Sequence, residues 1–174
     1  MYTKTKKIKE QVEEIQRLKQ DFLHVDKTVE VGHLFSNSEK KDTFTLRMVG
    51  KDILTSQIDF TIKSALGDTV FYHKFKSQDL IGYGLIDIKD PSKDQMENYI
   101  LKRFYDFFDD SNFASPAISR YKKLDDEFFD AKYFEEIKKQ TDSVSFYYLL
   151  GEEYMRRIVY LRDEKEVVEF WSCC

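Results

Sequence analysis

Two adjacent arginines and one tryptophan, Arg156, Arg157 and Trp171, form the group of residues in this sequence best suited to recognition chemistry. Residues 154–161 and 165–172 read as strands joined by a short loop, Arg162-Asp163-Glu164-Lys165, which suits a hairpin around a type I turn. In that register Val159 faces Val168, Tyr160 faces Val167, and Arg156 faces Trp171. A guanidinium over an indole is worth roughly 0.5–1 kcal/mol at an exposed site and makes a flat surface for an anion or planar ligand. These three residues are therefore the candidate ligand-binding site, with cross-strand packing on a solvated face as the plainer alternative.

Other chemistries lack their residue patterns. His24, His33 and His73 have no i,i+3 or i,i+4 partner and no neighbouring cysteine, so the spacing of a helical metal site is missing. No G-x-S-x-G elbow occurs. With six glycines, neither G-x-x-x-x-G-K nor G-x-G-x-x-G is present, and Gly82-Tyr83-Gly84 lacks the third glycine. Asp109-Asp110 and Asp125-Asp126-Glu127 could pair carboxylates for acid–base work or hold a hard cation. They fall at expected helix boundaries, however, where aspartates cap free backbone N–H groups. Cys173 and Cys174 are adjacent and cannot staple distant segments. No catalytic residue, metal ligand or cofactor is assigned from the sequence.

The elements that would position the candidate site alternate between helical and strand periods. Ile8, Val12, Ile15, Leu18 and Phe22 form one apolar stripe, which predicts an amphipathic helix over 5–23. The pattern lapses over 28–42, and 36–42 reads as a solvated loop. Strict alternation then runs through Phe44, Leu46, Met48 and through Ile58, Phe60, Ile62. A turn at Leu66-Gly67-Asp68 leads into 69–75, predicting a three-stranded antiparallel meander over 43–75. Ser92 with Gln95 is a capping box that opens a helical stretch over 92–140, interrupted at 112–116 and restarted at Ser115-Pro116. Strands return over 143–172. The expected fold class is α+β: an antiparallel sheet built from two β-meanders flanking a helical segment, with an N-terminal amphipathic helix, in one domain spanning 1–174.

Composition narrows the partners. The 15 Phe and 11 Tyr mean that aromatic rings fill much of the core. A net charge of -4 argues against nucleic acid, and the basic run Lys4, Lys6, Lys7, Lys9 is followed at once by Glu10, Glu13 and Glu14. No stretch approaches the ~18 uninterrupted apolar residues of a membrane span.

Residues 59–80, DFTIKSALGDTVFYHKFKSQDL, and the closing 167–174, VVEFWSCC, resemble segments of small bacterial lipoprotein-like domains of unknown function. The resemblance implies an exported domain at the cell envelope or periplasm. A lipid anchor is expected only if an export signal has been removed, since the lipobox cysteine and signal are absent; otherwise the chain is expected in the cytoplasm. It carries over no functional residues. The expected function is a non-catalytic binding or interaction domain for a protein or small ligand. The alternatives are a hydrolase using carboxylates assembled by the fold and a cytoplasmic structural protein that self-associates.

Overall fold

The computed structural model describes residues 25–124 and 128–173. Four strands, β1 (Val25–Leu34), β2 (Lys41–Gly50), β3 (Gln57–Lys63) and β4 (Thr69–Lys76), form one antiparallel sheet in sequential order. Helix α1 (Lys93–Tyr105) follows, then the two-residue strand β5 (Phe113–Ala114) and helix α2 (Ala131–Lys139). Strands β6 (Ser145–Leu150), β7 (Tyr154–Leu161) and β8 (Glu166–Cys173) complete a second antiparallel sheet, ordered β5-β6-β7-β8.

Alternation decides which residues face inward. Phe44, Leu46 and Met48 of β2 and Ile58, Phe60 and Ile62 of β3 are fully buried, and they meet Phe146, Tyr148 and Ile158 from the second sheet. Ile100 and Phe104 of α1, with Phe107 and Phe108 just beyond it, enter the same core. The outward residues of the first sheet remain wet, with Arg47 forming a two-pronged bond to Asp26 at 3.0 and 2.9 Å. The second sheet is covered on its inner face and over part of its outer face. Its outer side carries Val159, Leu161, Val168 and Phe170, packed against Phe134 and Ile137 of α2 and against Ala117 and Ile118.

The α+β expectation is thus corrected. The protein is mostly β, with two separate four-stranded sheets and two short helices among the described residues. The predicted helix over 5–23 lies outside the described residues. The first meander has four strands, because 25–34 pairs along its full length with β2. Lys27 occupies an inward-phased position between Val25 and Val29, and that one residue hid the alternation.

The helical stretch over 92–140 also shrinks. α1 starts where the capping box requires: Ser92 Oγ accepts from Gln95 N at 3.3 Å, and Gln95 Oε1 accepts from Ser92 N at 2.8 Å. No helix restarts at Ser115-Pro116. Phe113 and Ala114 instead pair with β6, and Ala117 N donates to Ser143 O at 3.0 Å, so sheet bonds claim this backbone. The helical spacing of Ile118, Tyr121 and Leu124 misled, since Ile118 is buried while Tyr121 and Leu124 are 84% and 48% exposed. α2 begins later, capped by Asp130 Oδ1 accepting from Lys132 N at 2.9 Å.

Candidate ligand-binding site

The hairpin forms as expected, with Val159 opposite Val168 and Tyr160 opposite Val167. A β-bulge between Arg157 and Ile158 then shifts the register. Phe170 is the extra residue, so Trp171 meets Arg157, and Arg156 meets Ser172 instead. The expected pairing of Arg156 with Trp171 is corrected by this single residue. Of the three candidate residues, the structure brings Arg157 and Trp171 together and sends Arg156 to the opposite face.

On the outer face, Arg157 lies between two aromatic neighbours in the cross-strand row Tyr147–Arg157–Trp171. Its guanidinium carbon is 5.8 Å from the Tyr147 ring centre and 5.3 Å from that of Trp171. Phe128 extends the row, its ring 6.2 Å from Trp171 and 38% exposed. Ser172 N donates to Phe128 O at 3.1 Å, fixing that segment against β8. The guanidinium thus has an aromatic ring on either side in the cross-strand row. Among the described residues no carboxylate lies within ion-pair distance of Arg157, and its buried Nε has no hydrogen-bond acceptor. Arg47, Arg156 and Arg162, by contrast, each have an acidic partner.

On the inner face Arg156 stands across from Tyr148 and reaches Glu169 at 3.5 Å. The Tyr148 hydroxyl sits 3.2 Å from His73 Nδ1, joining β6 to β4 across the two sheets. Burial pushes the Tyr148 phenol up to about 12, with the Arg156 charge opposing it. No family model matches this chain, and neither curated proteins nor solved structures show a match to it.

The pairing of His73 with Tyr148 is not legible in the sequence because the two lie 75 positions apart. No local spacing marks such a pair. The Asp109 carboxylate does what its helix-boundary position suggested, accepting from Ser111 N at 2.9 Å. Asp125, Asp126 and Glu127 lie outside the described residues.

The His73 imidazole is held below its ordinary value of 6.5, first by burial and then by the Arg156 guanidinium, while Asp79 pulls the other way. Below pH 6.5 the unfolded chain therefore binds a proton that the folded chain refuses until the pH is lower still. Stability from this residue is fully present above pH 6.5 and is lost as the pH falls through that value toward the folded pKa. Urea midpoints measured on both sides of pH 6.5 are expected to drop on acidification, and the slope is expected to be shallower in His73→Gln. An equal slope in both proteins would rule His73 out as the titrating group.

Proposed function

We propose that this chain is a non-catalytic binding domain whose outer second-sheet face receives an acidic segment of a partner protein. The observation that carries this reading is Arg157, a partly buried guanidinium stacked between Tyr147 and Trp171 with its charge unmatched among the described residues. Arginine, tryptophan and tyrosine are the residue types on which interface energy concentrates. A planar fork pre-set by stacking loses less freedom when it grips a carboxylate. Phe128, 38% exposed and 6.2 Å from the Trp171 ring, supplies apolar surface beside the stack.

Trp171 is the only tryptophan, so its fluorescence reports on the stack directly. Titration with a short oligoglutamate is expected to give a saturable change, and an oligoglutamine of equal length none. Arg157→Gln is expected to weaken the response at least ~10-fold, as loss of one charge-assisted fork predicts. If wild type and Arg157→Gln respond alike, the outer face is not the site.

Display at the cell envelope is part of the same proposal and is supported by the resemblance of residues 59–80 and 167–174 alone. The intact mass of the protein taken from its own cells tests it. A lipid-modified N-terminal cysteine supports envelope display, and an unmodified chain beginning at Met1 refutes it.

A further inference from the structure

A cleft lies on the opposite side of β7 from the Arg157 stack. It measures about 520 Å³ and opens between the end of β4 and the turn joining β6 to β7. Its walls include His73, Lys74, Lys76, Asp79, Tyr154 and Arg156. The rim is rigidly built. Gly151 N donates to Asp79 O at 2.6 Å, and Asp79 Oδ2 accepts from Lys76 N at 2.9 Å. Gly82 has φ +50, and a Cβ there would come 2.6 Å from Gly151 O, so the 3₁₀ segment Gly82–Leu85 closes onto this turn only as glycine.

The charges in the cleft do not cancel. Lys74, Lys76 and Arg156 line it against Asp79. Glu169 meets Arg156 only at 3.5 Å, and the buried Arg156 Nε has no acceptor. The Tyr148 hydroxyl, 3.2 Å from His73 Nδ1, bonds the imidazole that lines the cleft. The Tyr154 ring, 5.7 Å from the guanidinium carbon and largely exposed, forms an apolar flank. This volume falls within the ~300–1,000 Å³ range of small-molecule pockets.

We infer that this cleft binds a small organic anion, its carboxylate or phosphate group held by Arg156 and the β4 lysines and its body lying against Tyr154. The site is separate from the outer face and stands or falls independently of it.

The test follows the His73 ring and the Arg156 Nε–H by NMR in the full chain, with inorganic phosphate, succinate and neutral glycerol as probes. Phosphate or succinate is expected to give saturable shifts with a Kd of ~1 mM or tighter. Saturation by phosphate alone assigns a phosphoryl ligand, and saturation by succinate alone a carboxylate. Arg156→Gln is expected to weaken binding at least ~10-fold, and Arg157→Gln to leave it within about twofold. Should Arg156→Gln disturb the fold, Lys74→Ala and Lys76→Ala, both at exposed positions, are expected to weaken binding several-fold. Shifts that stay linear for both anions, or that saturate equally in Arg156→Gln and in both lysine variants, overturn the inference. Loss of oligoglutamate binding in Arg157→Gln with the cleft response intact would show the two sites to be distinct.

Discussion

Phe146→Ala is expected to lower the unfolding free energy by about 3–5 kcal/mol, measured as a fall in the urea midpoint at unchanged slope. Phe146 is fully buried on the inner face of β6. Its ring centre lies between 4.8 and 5.8 Å from those of Phe44, Phe60, Phe107, Phe108, Phe113 and Tyr148. Those neighbours come from both sheets and from the segment after α1, so no single element can collapse into the space that alanine leaves. Whole domains are stable by only about 5–15 kcal/mol, so the variant should sit near the limit of folding. Phe146→Leu keeps most of the volume and should cost about 1–2 kcal/mol. A loss below about 1 kcal/mol for the alanine variant would mean that the sheets do not share one core.

Asp42→Ala is expected to cost about 2–3 kcal/mol, because it removes a buried charged acceptor that three part-buried donors share. Asp42 is 0% exposed at the start of β2. Its carboxylate accepts from Ser36 N, from Ser36 Oγ at 2.9 Å and from Ala65 N at 2.9 Å. It thereby ties the β1–β2 loop to the β3–β4 turn, which together rim a cavity of about 690 Å³. Ser36→Ala removes only one of the three donors and should cost about 1 kcal/mol. The double variant should cost less than the sum of the two, since the residues share one network. Strict additivity in that cycle would show the carboxylate and the hydroxyl to be independent.

How much of this was legible in the chain follows from the range of each interaction. Strands β2 and β3 and the last hairpin are written in alternation and turn chemistry, both local, and they form where the pattern places them. The Ser92–Gln95 box is equally local. What failed was set by partners far away. No helix restarts at Ser115-Pro116, because residues 113–114, expected as a break, pair with β6 and Ala117 N donates to Ser143 O, which no spacing near Ser115 reveals. The two-sheet division is similarly invisible, since nothing within 43–75 or 143–172 says whether the meanders share an edge or face each other. Arg157 and Trp171 were picked out by residue type, yet their meeting depends on Phe170 being buried with the outer core, a packing decision.

That extra residue at Phe170 acts as a one-step phase shifter on an otherwise two-state code. Along a strand, odd and even positions are addresses for opposite faces, and a bulge changes the parity of everything beyond it. Here the parity change puts Trp171 on Arg157's address and leaves Arg156's to the interior. The two arginines are neighbours in sequence but belong to different surfaces. Substitutions at 156 and 157 can therefore drift separately, whereas pairing β8 without its bulge, with Phe170 opposite Arg157, would bring Trp171 to Arg156 and change the partners of both at once.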